Sequence, residues 1–117
     1  MEQMENLKKG DVLMANLGRQ EGSILGGTRP VVIVQNDIGN KNSTTIMVVP
    51  LTTKRIHENY PFHVKLRKEL SGLKKDSVAL CEQTRVINKS KLIEYMTSLC
   101  DKEIVKINNA LKIEFNL

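Results

Sequence analysis

Arg29 and Thr52 are the two side chains whose types and positions best suit chemistry at a phosphate group. Arg29 lies just before the apolar run Val31–Val34, and Thr52 lies near the end of the β-rich run 44–52. An arginine guanidinium can bind two phosphate oxygens at once, and a threonine hydroxyl can donate a hydrogen bond to a third. Spacing alone leaves open whether the two meet, because two unrelated strand ends would give the same pattern.

The residues around Arg29 predict a rigid strand that starts from a flexible turn. The glycine pair 26–27 can adopt positive φ, and the proline after Arg29 biases that arginine toward an extended backbone. Four apolar residues then follow without a break, which is typical of a strand buried on both faces. The pattern predicts a strand over residues 30–36 with a guanidinium at its start.

Other kinds of site have little support in the sequence. His57 and His63 flank no cysteine or carboxylate cluster at metal-ligand spacing. A histidine pair could act as acid and base, but His63 falls within a predicted strand with nothing around it to orient a substrate. Beyond the glycine pair 26–27 the sequence has no phosphate-loop, dinucleotide-binding or nucleophile-elbow motif. We therefore predict no metal site and no cofactor.

Short strands separated by turn signals account for most of the chain. Strands are predicted over residues 10–17, 30–36, 44–52, 62–66, 77–81 and 83–87, with long loops at 17–27 and 53–61 and turns at 39–43 and 71–76. The last two strands could equally be one bent strand. Pro50 should lie at an edge or a bulge, because proline cannot donate to a strand ladder.

The C-terminal part of the chain predicts helix. Residues 88–100 carry apolar side chains at helical spacing, although residues 95–100 fit a short strand equally well. Asp101 is a predicted N-cap of a closing amphipathic helix. Six or seven short strands and one terminal helix predict a mainly β, α+β fold, a small barrel that forms a single domain over residues 1–117.

The positive charge of the chain is concentrated in its middle. The net charge is +5, and residues 51–93 alone hold ten basic and four acidic side chains. Such a block fits a surface that faces a polyanion, and it also fits an ordinary solvated basic face.

Composition indicates a globular chain of the cytoplasm. The 117 residues are 40% hydrophobic, which is enough to bury a core. Cys81 and Cys100 are predicted to be reduced core residues rather than a disulfide. No apolar run approaches the roughly 18 residues of a membrane span. The polar, acidic segment 1–6 does not fit a signal peptide, so we expect no membrane contact.

Four segments of the chain resemble the MazF/PemK family, the toxin endoribonucleases of bacterial toxin–antitoxin pairs. They are Gly10–Val12, Gly26–Asp37, Val49–Thr52 and Leu80–Arg85. The resemblance runs in order through residues 7–115 and is strongest to the MazF-type enzymes of Gram-positive bacteria. It implies an SH3-like barrel of the MazF/PemK/CcdB type with a C-terminal helix, assembled as a homodimer.

The resemblance also implies an activity. Members cut single-stranded mRNA without the ribosome and without a metal, at a short sequence for which U-A-C-A-U is our prediction. Attack by the 2′-hydroxyl leaves a 2′,3′-cyclic phosphate and a 5′-hydroxyl, and the catalytic pair falls on Arg29 and Thr52. Because arginine stays protonated in proteins, we expect Arg29 to stabilise charge rather than to act as a base.

Partners and further contacts follow from the same resemblance. A MazE-type antitoxin would fill the RNA groove with an acidic C-terminal segment, and operator DNA would be bound only through it. The residues expected to contact RNA are Glu21, Ser23, Asn36, Lys54, Arg55, Gln83 and Arg85. The lysine and the arginines suit phosphates, and the others suit base edges. As alternatives, Asn36 could close a turn, and Glu82 could pair with a nearby lysine.

One alternative concerns the structure of residues 88–100, and two concern the function. The family fold divides residues 88–100 into a short helix and a strand, against the helical periodicity. A gyrase-poisoning toxin of the same fold would bind without doing chemistry. A plain SH3-like RNA-binding or adaptor module would bind its partner without cutting RNA and without toxicity.

Overall fold

The computed structural model describes residues 6–117, which form seven strands, three α-helices and two 3₁₀ turns. The prediction about a signal peptide falls mostly on residues 1–5, outside this range. The elements in chain order are β1 (Asp11–Asn16), β2 (Thr28–Ile33), α1 (Asp37–Asn42), β3 (Thr45–Thr52), β4 (His63–Leu66), α2 (Lys68–Ser71), β5 (Ser77–Leu80), a 3₁₀ turn (Cys81–Gln83), β6 (Arg85–Asn88), a 3₁₀ turn (Lys89–Lys91), β7 (Leu92–Ser98) and α3 (Asp101–Glu114).

All strand pairs are antiparallel, and the sheet runs in the order β4-β5-β3-β2-β1-β7, with β6 also paired to β3. β5 and β6 pair with successive parts of β3, so together they resemble one strand bent at the turn Cys81–Gln83. The path of hydrogen bonds ends at β4 and β7, and α3 packs against β4. The predicted mainly β fold with a C-terminal helix is confirmed, and the sheet is compatible with an open barrel.

β2 is buried on both faces, as its unbroken apolar run predicts. Val32 and Val34 lie in the larger apolar cluster with Ile107 of α3, whereas Val31 and Ile33 lie in a second cluster on the opposite face. Side chains of a strand alternate between the two faces of a sheet, so one run of four supplies both cores. The strand that carries Arg29 is therefore anchored in both apolar clusters.

Two predicted boundaries near β2 were wrong. The strand covers Thr28–Ile33 rather than residues 30–36, and the turn expected at 39–43 is the short helix α1. The Asn36 side chain accepts a hydrogen bond from the backbone N–H of Gly39 at 2.9 Å and so caps this helix. A side-chain cap of this kind satisfies a backbone donor that the first helical turn leaves unpaired.

The helical reading of residues 88–100 was also wrong. Residues Leu92–Ser98 form β7, preceded by a 3₁₀ turn at Lys89–Lys91, as the family resemblance implied. β7 pairs along the edge of β1, so the hydrogen bonds of the sheet outweigh the local helical spacing. Asp101 is the first residue of α3, and Cys100 occupies the N-cap.

Pro50 lies inside β3, where that strand changes partners. β3 pairs with β6 up to Val48 and with β5 from Leu51, so the proline falls in the gap between the two ladders. No helix within residues 6–117 has the length and apolar character needed to cross a membrane.

Candidate active site

The ends of β2 and β3 bring Arg29 close to the backbone beside Thr52. The β2–β3 ladder ends at the pair Val31–Pro50, two residues from Arg29 along β2 and two residues from Thr52 along β3. The Arg29 Nη1 donates to the carbonyl oxygen of Leu51 at 3.4 Å, which places the guanidinium beside the backbone that leads into Thr52. Neighbouring strand ends therefore supply a cation and a hydroxyl at one place.

The Arg29 guanidinium is fixed by backbone acceptors and keeps donors for a ligand. Its Nε donates to the carbonyl oxygen of Gly26 at 2.8 Å, and the side chain is half-buried. A guanidinium carries five N–H groups. Two are bonded to Gly26 and Leu51, and the other three have no partner among the described residues. Arg29 can therefore bind an anion without losing the contacts that orient it.

The hydroxyl of Thr52 is also positioned and available. Thr52 is only 7% exposed, and its Oγ1 accepts a hydrogen bond from the backbone N–H of Lys54 at 3.2 Å. A hydroxyl has one proton to donate and two acceptor lone pairs. Within residues 6–117 the proton of this hydroxyl has no acceptor, so it can be donated to a phosphate oxygen.

Arg85 brings a second cation close to the first. Burial, and then the positive charge of Arg29, lower the pKa of Arg85 below its ordinary value. Two neighbouring guanidiniums raise the local positive potential, and this favours an anionic ligand.

Gln83 and Arg85 are largely occupied by protein contacts. Gln83 bonds the backbone of Ser23 and Leu25, and Arg85 bonds the backbone of Leu25 and Gln83. Their expected contacts with RNA stay a prediction, but in this conformation most of their polar atoms are engaged with the first long loop.

The two long loops on either side of the site carry four of the other predicted contacts. Glu21 and Ser23 are exposed in the first loop, where Glu21 and Ile24 exchange backbone hydrogen bonds. Lys54 is exposed and Arg55 half-buried directly after Thr52. Their positions suit a ligand that extends outward from the Arg29–Thr52 pair.

Asn36 is not brought to this place. It follows the opposite end of β2 from Arg29, and a six-residue strand is roughly 20 Å long. Its side chain caps α1. The alternative that Asn36 closes a turn is thus closer to the observed role, and an RNA contact stays an untested prediction.

A buried histidine bonded to a carboxylate was not foreseen. His63 Nε2 lies 2.7 Å from Glu82 Oε2, and its Nδ1 lies 3.7 Å from Glu58 Oε1. The His63 side chain is 2% exposed. The alternative that Glu82 pairs with a lysine is not observed within residues 6–117, where its partner is His63. Polar and apolar residues alternate along β4, and this alternation predicts that His63 and Lys65 share the solvent-facing side of the strand. The sequence therefore gave no indication that His63 is buried.

The cysteines and the possible metal ligands add no further chemistry. Cys81 and Cys100 are both free, as predicted, and Cys81 is fully buried. Burial, with the nearby charge of Glu82, raises the pKa of the Cys81 thiol to about 12, so it is not a nucleophile. Within residues 6–117 no three His, Cys, Asp or Glu side chains converge as metal ligands would.

Comparisons with known proteins identify the family of the chain. Residues 8–115 match the model of the PemK-like, MazF-like toxin of type II toxin–antitoxin systems. The chain is 44% identical over 111 residues to the endoribonuclease MazF of Staphylococcus saprophyticus, covering 95% of this chain and 92% of that protein.

Solved structures support the same fold. A mycobacterial endoribonuclease in complex with its cognate antitoxin superposes with a TM-score of 0.80 at 24% identity, over 94% of this chain and 95% of the other. MazF from Deinococcus radiodurans (Form-I) superposes with a TM-score of 0.79 at 21% identity, over 94% and 96%.

Proposed function

The chain belongs to the PemK-like, MazF-like family of type II toxin–antitoxin toxins, and we propose that this endoribonuclease cuts single-stranded mRNA at a phosphate held between Arg29 and Thr52. The observation that carries the proposal is the Arg29 guanidinium, which is bonded to the carbonyl oxygens of Gly26 and of Leu51, the residue before Thr52, and keeps three N–H donors without a partner among the described residues. The proposal takes residues 1–117 as one toxin domain, since the family match spans 8–115.

The proposed reaction is an internal displacement in the RNA. The 2′-oxygen attacks phosphorus and releases its proton to water, the bond from phosphorus to the 5′-oxygen breaks, and that oxygen takes up a proton. The products are a 2′,3′-cyclic phosphate and a 5′-hydroxyl end. The proposed step uses no metal or cofactor: the attacking 2′-oxygen belongs to the substrate, and Arg29 and Thr52 supply the donors for the developing charge.

Arg29 and Thr52 act on the charge that this reaction builds up. The pentacoordinate phosphorus carries more negative charge on its non-bridging oxygens than the starting diester. Preorganised donors aimed at such charge are usually the largest catalytic contribution. Arg29 supplies a charged fork, Thr52 supplies a neutral donor, and Arg85 adds a positive potential close by. We assign Arg29 the role of electrostatic stabiliser; if it passes a proton to the leaving 5′-oxygen, it regains one from the water that received the proton of the 2′-hydroxyl.

Recognition and control are assigned to the surroundings of this pair. Glu21 and Ser23 in the first loop read base edges of a site such as U-A-C-A-U, and Lys54 and Arg55 contact phosphates. We also propose a homodimer in the cytoplasm and a MazE-type antitoxin whose acidic C-terminal segment competes with RNA for the cations. Operator DNA would be bound only through that antitoxin. The structure of a mycobacterial endoribonuclease in complex with its cognate antitoxin supports the antitoxin as a partner.

Cleavage of pure RNA tests the proposal directly. The purified chain is incubated with a long RNA and EDTA, without ribosomes, and the cuts are mapped by primer extension. We expect cuts at one short sequence, with 5′ ends that a polynucleotide kinase labels without phosphatase treatment. Arg29→Ala should abolish them, whereas Arg67→Ala, an exposed arginine at the start of α2, should not.

Two results would overturn the proposed cleavage, and a third would overturn its metal independence. An intact RNA together with poisoned gyrase would indicate the non-enzymatic toxin of this fold. RNA that is bound but never cut would indicate an RNA-binding module. Cleavage that needs an added divalent metal would remove the proposed metal independence.

A further inference from the structure

We propose that Arg85 and Gln83 are positioning residues, which hold the loop of residues 17–27 so that the Gly26 carbonyl orients the Arg29 guanidinium. The inference rests on the proposed function, because it assumes that the geometry of Arg29 matters for cleavage. It reassigns two side chains for which the sequence suggested direct contacts with RNA.

Both side chains bond the backbone of the loop rather than its side chains. Arg85 Nη1 donates to the Leu25 carbonyl oxygen at 2.6 Å, and Gln83 Oε1 accepts from the Leu25 N–H at 2.8 Å. Gln83 Nε2 donates to the Ser23 carbonyl oxygen at 2.8 Å. Both polar backbone groups of Leu25 are therefore taken up by these two residues.

Arg85 and Gln83, called the clamp residues from here on, also bond each other. Arg85 Nη2 donates to Gln83 Oε1 at 3.1 Å, and Arg85 Nε donates to the Gln83 carbonyl oxygen at 3.2 Å. Three nitrogens of one planar group are thus bonded in fixed directions, which lysine cannot reproduce with its single ammonium. The geometry requires arginine specifically, and a simple contact with phosphate would not.

Leu25 fastens the same point of the loop through its side chain. It is 7% exposed and packs with Val78 and Leu80 of β5. The loop is therefore attached to the sheet at Leu25 by apolar contact and by hydrogen bonds together. The residue after this attachment is Gly26, whose carbonyl oxygen holds Arg29 Nε at 2.8 Å.

Gly26 has no room to move on its other side. Its N–H donates to Gln20 Oε1 at 2.8 Å. A Cβ at Gly26 would lie 2.4 Å from the backbone nitrogen of Gln20 and 2.5 Å from the carbonyl carbon of Arg19. Two limbs of the loop thus enclose Gly26, and a shift at Leu25 would move the carbonyl that orients Arg29.

The test compares Arg85→Lys and Gln83→Leu with Arg67→Lys as a matched control on the exposed surface. Two quantities are measured: the single-turnover cleavage rate at saturating RNA, and the Kd for the same RNA with a 2′-deoxynucleotide at the cut site. We expect the rate of both clamp variants to fall by about 10²-fold, the loss that follows from a misplaced catalytic group, while Kd stays near the wild-type value. An unchanged rate with a weakened Kd would show that Arg85 is only a phosphate contact and would overturn the inference.

A double variant separates positioning from an independent role. If Arg85 acts through Arg29, adding Arg85→Lys to Arg29→Lys should cost no further rate, because the group being positioned is already lost. If the fold-losses in cleavage rate of the two single variants multiply in the double variant, the inference is overturned, because each arginine would then act on the substrate by itself.

A spectroscopic measurement needs neither RNA nor activity. The Nε–H signal of Arg29 in a ¹H–¹⁵N spectrum, assigned by its absence in Arg29→Lys, should exchange slowly with water in the wild type and in Arg67→Lys. It should broaden or vanish in Arg85→Lys and Gln83→Leu. If the slowly exchanging Arg29 Nε–H signal persists in both Arg85→Lys and Gln83→Leu, the inference is overturned. Failure of the wild type to cut RNA would instead overturn the proposed function, and the spectrum would still report on the clamp.

Discussion

Replacing Thr52 by valine removes one proposed donor and little else. The two side chains have nearly the same shape, and Thr52 is almost fully buried. The change deletes the proton that the hydroxyl offers to a phosphate oxygen, together with the acceptor for the Lys54 N–H at 3.2 Å. Lys54 is exposed, so water can replace that acceptor.

Thr52→Val should cost more in cleavage rate than in folding stability. One preorganised donor to developing negative charge is typically worth about 2.7–4 kcal/mol, or about 10²–10³ in rate. One intramolecular hydrogen bond contributes only about 0.5–1.5 kcal/mol to folding. We therefore expect Thr52→Val to fold and to bind RNA, but to cut it a few hundred-fold more slowly.

The assay is single-turnover cleavage of a short RNA, with urea unfolding of the same preparations. Thr53→Val is the matched control, since Thr53 is the exposed neighbour of Thr52 and should keep full activity. Thr52→Ser retains a hydroxyl and should keep most of the rate. A Thr52→Val enzyme that cuts as fast as the wild type would refute the role given to this hydroxyl.

Two further predictions concern the buried side chains of His63 and Cys81. His63→Leu should lower the free energy of unfolding by about 1–3 kcal/mol, because it leaves the Glu82 carboxylate without its partner at 2.7 Å, and an unchanged urea midpoint would contradict this. Since burial raises the pKa of Cys81 from 9.0 to about 12, the folded state holds a proton that the unfolded thiol loses. Its contribution to stability should be complete below pH 9 and fall as the pH rises toward about 12. Cys81→Ala should weaken this alkaline dependence of the unfolding midpoint, and identical curves would contradict it.

The fold was largely predictable where local signals and tertiary demands agree. The apolar run after Arg29 is buried on both faces, and the closing helix begins at Asp101, one residue from its predicted start. β7 was not predictable from periodicity, because its conformation is set by pairing with β1. The sequence left a short strand open at residues 95–100, and the resemblance to a known family favoured a strand in this stretch over the helical spacing.

The candidate site was predictable as a pair of residues but not as a geometry. The types of Arg29 and Thr52 suggested phosphate chemistry, yet their meeting depends on the β2–β3 register, which no local pattern specifies. The bonds from Gln83 and Arg85 to the first long loop were not predictable for a similar reason. Their backbone partners lie 58 to 60 residues away in the chain. Polar side chains that bond distant backbone look the same in sequence as side chains that await a ligand.

The most direct test of the account is the effect of Arg29→Ala on cleavage and on binding, measured separately. The Arg29 side chain is oriented by Gly26 and Leu51, and three of its donors face no described partner. We predict that the single-turnover rate falls by about 10³-fold or more, as for the loss of a charged transition-state donor, while the Kd for RNA with a 2′-deoxynucleotide at the cut site changes little. A variant that keeps its rate and loses only affinity would contradict the claim that this fixed cation drives the cut.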